Sequence, residues 1–371
     1  MKRVGIMSMQ RIANYGSFLQ AYALKQLIEE QGDEVQFVDY HVGSPVIASS
    51  ENCNKLRRKI KKGMETFQYK APFLHKLSFI RYKQSFAKKN MPLLGIGDNM
   101  NYNPELDCLV IGSDEVFNCI QKNSNVGYSP ELFGKDNQAQ KVITFAASFG
   151  NTTIDKLREY DKADEIAELL KDMDNISVRD DNSGEIVKEL TGKEVVYNLD
   201  PVLTYDYMNC CEKIPSINVN ERYLILYAYS GRITKEEAYW IKQYAKSKGL
   251  KVYAIGGIQS CADKFISCSP FEVLAYFKNA EEVITDTFHG SIFSIITQRK
   301  FATIIRKSVG TAYGNEEKLE DLLRRLTLSN RMTTDISEVS KINATHIEYE
   351  NIMDILNKHR VVAKEYLKQN I

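Results

Sequence analysis

Short apolar strands, each followed by a polar turn and an amphipathic helix, recur along most of this chain. The clearest unit spans residues 283–301, where the apolar run VIT precedes a polar turn, an apolar helix and a second short strand. Strands and helices that alternate in this way form parallel sheets with helices on their faces. The sequence therefore predicts an α/β fold, in which ligands bind at the carboxyl ends of the strands.

The alternation is interrupted once, which predicts where one domain ends. Residues 204–220 lack hydrophobic periodicity, and the pattern restarts with the run RYLILY at residues 222–227. A chain of 371 residues is long enough for two domains that each bury a core. We predict Rossmann-like domains at residues 1–204 and 205–371. We expect the amphipathic C-terminal segment, 346–368, to close the second domain, with a return to the first domain as the alternative.

The composition excludes several classes of protein. The formal net charge is +1, with 43% hydrophobic and 26% charged residues, so we expect a globular protein without general affinity for nucleic acid. No signal-peptide pattern and no apolar run of about 18 residues occurs, which predicts a cytoplasmic protein. The seven cysteines include no CxxC pair and the five histidines are scattered, so neither disulfides nor a metal site is expected.

The polar turn after residue 285 contains the strongest candidate for a functional residue. His289 follows Asp286 and Phe288 and precedes Gly290, at the carboxyl end of one strand and the amino end of a helix. Backbone N–H groups and the positive end of the helix dipole converge there, and a glycine lets a ligand approach the backbone. The alternative is that His289 only caps or packs the turn.

A second polar turn lies between the first strand, KRVGIMS, and the first helix. Asn14, Tyr15, Gly16 and Gln20 occur there and can offer backbone and amide donors to a ligand, or they can form a turn and a helix cap. Their spacing is not that of a GxGxxG fingerprint. A dinucleotide cofactor is therefore not expected.

A third turn follows the buried run DCLVI. Gly112, Ser113 and Asp114 place a flexible turn, a hydroxyl and a carboxylate at the edge of the sheet, and Asn118 follows them. Asp114 is a candidate site carboxylate, with helix capping as the alternative. The next strand, KVITFAA, ends at Ser148, which is a further candidate for substrate binding.

Arg179 is placed like His289, between a short strand and a helix. Its guanidinium offers a planar fork of donors that suits a carboxylate or a phosphate. The alternative is a salt bridge to Asp180 or Asp181. The pattern thus predicts a cation at the same edge of the sheet as the other candidates.

The segment from Lys55 to Lys89 differs in composition from the rest of the chain. It holds twelve Lys and Arg residues against one acid, Glu65, with aromatic residues between them. We interpret about residues 51–90 as an insertion of two amphipathic helices separated near Pro72. Its charge suits anionic lipid head groups or a pyrophosphate-linked acceptor, or pairs with acids elsewhere on the protein. Nucleic acid is not expected, because no binding motif accompanies the charge.

Six motifs, in this order, resemble those of the polysaccharide pyruvyl transferase family. They are Asn14-Tyr15-Gly16, Gly112-Ser113-Asp114, Ala147-Ser148-Phe149-Gly150, Val178-Arg179, Asp200-Pro201 and Phe288-His289-Gly290. Glu115 and Phe117 stand where the family usually has Gln and Trp, so the contacts at those two positions are expected to differ.

The resemblance implies a glycosyltransferase-B-like architecture, in which two Rossmann-like domains face each other across a cleft. It also implies a pyruvyl transferase that uses phosphoenolpyruvate and a sugar or lipid-linked oligosaccharide acceptor, without a metal or bound cofactor. On matching positions, His289 is expected to be an acid or a phosphate partner, and Arg179 an anion clamp for the donor. Asp114 is expected to be a base or a hydrogen-bond partner of the acceptor.

Two other functions stay open on the sequence. A fold does not determine the donor, so a glycosyltransferase that uses a nucleotide sugar is the first. The second is a non-catalytic partner in polysaccharide assembly, bound through the basic segment to a membrane or to another enzyme.

Overall fold

The computed structural model describes residues 1–47, 66–121, 123–307 and 315–371, which form two parallel sheets of six strands each. The first sheet consists of β1 (Arg3–Met7), β2 (Glu34–Phe37), β3 (Cys108–Asp114), β4 (Val142–Ala147), β5 (Ser177–Val178) and β6 (Val196–Tyr197). The second consists of β7 (Tyr223–Tyr227), β8 (Lys251–Ile255), β9 (Lys264–Phe265), β10 (Glu282–Thr285), β11 (Lys300–Ile304) and β12 (Met332–Thr333). The predicted fold of two Rossmann-like sheets is confirmed.

Helices connect the strands and cover the sheets. They are α1 (Tyr15–Glu29), α2 (Phe73–Asn90), α3 (Ile154–Glu159), α4 (Ala163–Lys171), α5 (Asp181–Thr191), α6 (Pro201–Thr204), α7 (Tyr207–Cys210), α8 (Lys235–Ser247), α9 (Pro270–Asn279), α10 (Phe288–Ile296), α11 (Glu316–Arg325), α12 (Val339–Ala344) and α13 (Tyr349–Asn370). Because helices lie on the faces of the sheets, the central strands are rich in apolar residues, and Val4 and Ile6 of β1 are completely buried.

The strand order places a crevice in each sheet. The order is β2-β1-β3-β4-β5-β6 in the first sheet and β12-β11-β10-β7-β8-β9 in the second. The chain therefore moves outward in opposite directions from β1 and β3, and likewise from β7 and β10. The loops after two such neighbouring strands separate and leave a crevice at the carboxyl edge of the sheet, where α/β proteins bind ligands.

The two domains pack against each other through α1 and α9. The ring centroids of Phe18 and Phe271 lie 5.8 Å apart, and those of Tyr22 and Phe271 lie 5.0 Å apart. The hydroxyl of Tyr15 donates to the carbonyl oxygen of Cys268 at 3.0 Å. The aromatic contacts are buried, and together with this hydrogen bond they hold the domains in a defined orientation.

Helix α13 contacts both domains. Near its start the Tyr349 hydroxyl donates to the carbonyl oxygen of Arg299, after the α10 helix of the second domain, at 2.5 Å. Near its end the Tyr366 hydroxyl donates to the carbonyl oxygen of Thr144 in β4 at 2.9 Å. The C-terminal helix thus joins the two sheets.

The described part of the basic segment contains one long helix, α2, which begins directly after Pro72. The portion predicted at residues 55–65 lies outside the described residues. Neither α2 nor any other helix in the described ranges is long and apolar enough to cross a lipid bilayer.

Candidate active site

The carboxyl ends of β1, β3, β7 and β10 meet around a cavity of about 220 Å³. Its walls come from both domains. The first domain contributes Asn14, Gly16, Ser17, Asp114, Glu115 and Arg179, and the second contributes Tyr227, Tyr229, Arg232, Asp286, Thr287, Phe288, His289, Asn315 and Lys318. The crevices of the two sheets therefore open into one cavity, at the position where this kind of fold binds ligands.

A buried carboxylate, Asp200, lies between Arg179 and His289. Arg179 Nη1 donates to Asp200 Oδ2 at 3.1 Å, and His289 Nε2 lies 3.6 Å from the same oxygen. The other oxygen accepts the N–H of Val202 at the start of α6. Burial by itself raises the pKa of Asp200, but the interactions with His289 and Arg179 outweigh it and lower that pKa. The carboxylate thus stays ionised and lies close to both Arg179 and His289.

The imidazole of His289 is enclosed by the first turn of α1. Thr287 caps α10 by accepting the N–H of Gly290, so His289 lies in the first turn of that helix. A Cβ atom placed on Gly16 would lie 2.3 Å from His289 Nδ1. Gly16 lines the cavity, and a glycine is required there because the histidine ring takes the space that a side chain would need.

Arg179 is almost fully buried, with 4% of its surface exposed. Its guanidinium lies 4.5 Å from the ring centroid of Phe288, and Nε has no hydrogen-bond partner in the described part of the chain. Burial by itself lowers the pKa of Arg179, but the surrounding carboxylates, chiefly Asp200 and Asp114, outweigh it and raise that pKa. The guanidinium therefore remains charged beside the cavity.

The salt bridges considered as alternatives for Arg179 are not formed. Asp180 caps α5 by accepting the N–H of Ser183, and it also accepts the hydroxyl proton of Ser148. Asp181 pairs with Arg324 of α11 at 2.7 Å. Arg179 is therefore directed to Asp200 and the cavity, because both neighbouring acids are bound elsewhere.

Asp114 reaches the cavity from the end of β3. Its backbone has a φ of +79°, in the left-handed region that non-glycine residues seldom adopt and that costs about 1–3 kcal/mol. The Ser17 hydroxyl donates to Asp114 Oδ2 at 2.8 Å. The strained backbone and this hydrogen bond direct a carboxylate toward the space in front of Arg179, as a site carboxylate requires.

Glu115 forms an ion pair across the cleft. Lys318 Nζ of α11 lies 2.9 Å from Glu115 Oε1, and Asn118 Nδ2 donates to the other oxygen at 2.9 Å. Burial by itself raises the pKa of Glu115, but Lys318 and, more weakly, Arg179 and Asn118 lower it to about 2. The glutamate that replaces the family's glutamine therefore connects the two domains at the wall of the cavity.

Asp286 is a buried carboxylate with very few partners. It is 0% exposed, neither of its oxygens has a hydrogen-bond partner among the described residues, and Arg306 Nε lies 3.7 Å away. Burial raises the pKa of Asp286 more than Arg232 and Arg306 lower it. Its raised pKa and its place at the cavity make Asp286 a second candidate acid.

Four of the predicted residues near β1 and β3 do not line the cavity. Tyr15 is buried between the domains, and Gln20 is buried inside α1. Gly112 lies within β3, where a Cβ atom would approach the Phe145 carbonyl oxygen to 2.4 Å. The Ser113 carbonyl oxygen accepts the hydroxyl proton of Ser8. These four residues support the walls of the site because they pack behind it.

Three further predicted residues also lie behind the wall. Asn118 holds Glu115, and Ser148 donates to Asp180. Gly290 is buried under Thr285, whose Oγ1 would lie 2.1 Å from a Cβ atom at that position. This glycine allows α10 to pack closely on β10, so its backbone is not open to a ligand.

Several cavity residues were not among the sequence candidates. Tyr229 and Arg232 follow β7, and the signal that could have indicated them is their place after the first strand of the second domain. Arg232 stacks on Tyr229, with its guanidinium 4.7 Å from the ring centroid. Lys318 and Asn315 come from the start of α11 and have no local pattern, because only the packing of the domains brings them to the site.

The two parallel sheets and the cavity between their domains are those of the glycosyltransferase-B-like fold. UDP-GlcNAc 2-epimerase from Neisseria meningitidis, bound to UDP-GlcNAc, has a similar structure, with a TM-score of 0.50 and 9% identity over 100% of both chains. The S. aureus MnaA structure with UDP has a TM-score of 0.50 and 11% identity, covering 98% of this chain and 94% of that one. At such identities the likeness concerns the fold alone. No curated protein of similar sequence was found.

The family of this protein is assigned by comparing its sequence with models of known families. A family model of the polysaccharide pyruvyl transferases matches residues 14–308, which includes the cavity residues of both domains up to β11. The chain belongs to the polysaccharide pyruvyl transferase family and is a transferase. The predicted family membership is thereby confirmed.

Proposed function

We propose that this protein transfers the pyruvyl group of phosphoenolpyruvate to hydroxyl groups of a sugar and releases phosphate. The observation that carries the proposal is the cluster of His289, Arg179 and Asp200 at a cavity shared by both domains of a pyruvyl transferase family member. Phosphoenolpyruvate has a carboxylate and a phosphate, both of which guanidinium groups bind well. Arg179 and Arg232 both line the cavity.

Ketal formation sets clear chemical requirements. The methylene carbon of phosphoenolpyruvate takes up a proton and becomes a methyl group, which leaves positive charge on the carbon that bears the phosphate. One sugar hydroxyl attacks that carbon, the bond to the phosphate oxygen breaks, and a second hydroxyl forms the second C–O bond. Of the two hydroxyl protons released, one balances the methyl group and the other leaves with phosphate. The site must therefore supply an acid, an anion clamp and a base.

The cavity contains a group for each requirement. We assign proton delivery to His289, since its imidazole lines the cavity and its Nε2 lies 3.6 Å from the Asp200 carboxylate, and we regard Asp286 as the second acid available. Arg179 holds the anionic donor, because its guanidinium is fixed by Asp200 and faces the cavity. Asp114, which accepts the Ser17 hydroxyl proton, is our candidate for the base that activates the sugar hydroxyl.

Further parts of the proposal concern the partners and location of the enzyme. We propose that the acceptor is a cell-surface polysaccharide or exopolysaccharide, or its lipid-linked oligosaccharide precursor. The reaction would occur in the cytoplasm, with peripheral contact to the inner face of the membrane through the segment Lys55–Lys89. We include no metal or bound cofactor, because phosphoenolpyruvate brings its own leaving group.

Ligand-dependent thermal stability tests the donor without knowledge of the acceptor. We expect phosphoenolpyruvate to raise the Tm, since a ligand at a hundred times its Kd adds about 2.7 kcal/mol of stability. The variant Arg232→Gln should weaken this binding by about tenfold or more, because it removes a cavity cation that makes no ion pair within the described ranges. Arg222→Gln, at the opposite end of β7 and 65% exposed, is the matched control and should bind normally.

Two outcomes would contradict this assignment. Stabilisation by UDP-N-acetylglucosamine and not by phosphoenolpyruvate would assign the cavity to a nucleotide sugar. Equal binding of phosphoenolpyruvate by Arg232→Gln and the wild type would show that the donor does not use the cation after β7.

A further inference from the structure

Among the described residues, helix α2 packs on the rest of the protein along one face. Its residues Phe79, Tyr82 and Phe86 are buried. The Tyr82 ring lies 5.4 Å from that of Tyr15 in the first domain, and the Phe79 ring lies 5.6 Å from that of Phe265 in the second. The helix is thus held against both domains, and its opposite face is turned away from them.

Two cations of α2 have no acidic partner in the described part of the chain. The helix contains five Lys and Arg residues and no acid. Arg81 and Lys88 are exposed and form no ion pair with any described residue. For these two residues, the alternative that the segment pairs with acids elsewhere is not met within the described ranges. Exposed cations without a nearby acid raise the local concentration of anions.

Apolar side chains lie beside these cations. Phe73 and Leu74, at the start of α2, are 62% and 75% exposed, and Phe67 just before the helix is 48% exposed. The rings of Phe67 and Phe73 lie 6.3 Å apart. Leu74, Arg81 and Lys88 are seven residues apart, so they form one stripe along the helix. Exposed aromatic and aliphatic groups on a cationic helix are typical of a surface that enters a lipid interface.

The same segment borders the cavity in both domains. Lys83 Nζ donates to the carbonyl oxygen of Ala13, the neighbour of the cavity residue Asn14, at 3.3 Å. Tyr69 lies against Gly231, next to Arg232, since a Cβ atom on that glycine would approach the Tyr69 ring to 2.8 Å. A molecule bound along α2 is therefore close to the site.

We propose that the α2 surface, formed by Phe67, Phe73, Leu74, Arg81 and Lys88, binds an anionic phospholipid membrane. The cations contact lipid phosphates while the apolar side chains enter the head-group region. This orientation presents the cavity to a saccharide carried on a lipid. This inference assigns to named residues the membrane contact that is part of the proposed function, and it does not depend on which donor the cavity binds.

Vesicle sedimentation tests the proposal on the full chain. We expect the wild type to sediment with phosphatidylcholine vesicles that contain phosphatidylglycerol and to stay in solution with phosphatidylcholine alone. Arg81→Glu with Lys88→Glu should reduce sedimentation by about tenfold or more. Lys246→Glu with Lys278→Glu changes the net charge equally at exposed lysines of the second domain and should sediment like the wild type. Phe73→Ser with Leu74→Ser should also reduce sedimentation, although it leaves the charge unchanged.

All substituted side chains are exposed, so each variant is first required to have the Tm of the wild type. The proposal is overturned if the wild type does not bind anionic vesicles. It is also overturned if the control variant, Lys246→Glu with Lys278→Glu, loses as much binding as the variant Arg81→Glu with Lys88→Glu. Binding to a nucleic acid oligomer in place of the vesicles would assign the surface to that other class of partner. Because only lipid binding is measured, failure here leaves the donor assignment intact.

Discussion

At the scale of single residues, Asp200 contacts both groups assigned to the donor, Arg179 and His289. Burying a carboxylate normally lowers the stability of a protein. This cost is offset for Asp200 because Arg179 and His289 both lie next to the same carboxylate oxygen. Its second oxygen caps α6. One side chain thus links the short helix at the end of the first domain to the histidine of the second. Asp200 is a positioning residue, since it orients the groups that we assign to the donor.

The substitution Asp200→Asn tests this positioning role. An amide oxygen can still accept the Val202 N–H, but the buried Arg179 loses its nearest counter-charge, so we expect a loss of about 3 kcal/mol in the free energy of unfolding. Urea denaturation at neutral pH measures it. The control is Glu194→Gln, which breaks an exposed pair with Lys188 and should cost about 0–1 kcal/mol. Similar losses in the two variants would show that Asp200 is not needed to compensate Arg179.

At the level of elements, the first turn of α1 combines three tasks. Asn14 caps the helix by accepting the N–H of Ser17 at 2.7 Å, and the Ser17 hydroxyl holds Asp114. Gly16 leaves room for the imidazole of His289. In the sequence this turn is typical of a helix cap. In the structure it also positions Asp114, the candidate base, and His289, the candidate acid.

The substitution Gly16→Ala distinguishes an effect on the stability of helix α1 from an effect on the geometry of the site. Alanine favours a helix over glycine by about 1 kcal/mol, so the stability of α1 should not suffer from the change itself. The new methyl group would lie 2.3 Å from His289 Nδ1 and must displace the ring, so we expect phosphoenolpyruvate binding to fall by about tenfold or more. Titration calorimetry measures the affinity. In a His289→Ala background, Gly16→Ala should have no further effect; an unchanged affinity in the single variant would refute the role of this contact.

In the whole molecule, ion pairs join the domains on the side of the cavity. Glu115 pairs with Lys318, and Asp181 pairs with Arg324 and Arg325 of the same helix, α11. Together with the apolar packing of α1 on α9, they connect the domains on two sides of the cleft. The geometry of the cavity thus depends on electrostatic contacts whose strength changes with pH.

The Glu115–Lys318 pair predicts a specific loss of stability in acid. The pKa of Glu115 is lowered from 4.5 to about 2, so its contribution is complete above about pH 4.5 and is lost as the pH falls toward 2. A shift of this size corresponds to about 3 kcal/mol. We expect Glu115→Gln to be less stable than the wild type at pH 7, with a difference that shrinks by pH 3 in urea denaturation. Glu320→Gln, an exposed residue of α11, is the control; a difference that does not change with pH would contradict the prediction.

The sequence alone determined the α/β class and the position of several cavity residues along the chain. Hydrophobic periodicity and turn residues are local properties, and parallel strands bring their carboxyl ends to one edge of a sheet. For this reason His289, Arg179 and Asp114, each placed at the end of a strand or shortly after it, lie around one cavity.

Only the tertiary structure decided which side chains face that cavity. Tyr15 and Ser148 occupy the same kind of turn as Asn14 and Asp114, yet they point into the protein. The direction of a side chain after a strand depends on packing between segments far apart in the chain, as in the contact of Gly16 with His289. The pairing of Glu115 with Lys318 likewise forms only when the two domains pack together. No local sequence pattern indicates which surface of one domain will contact the other.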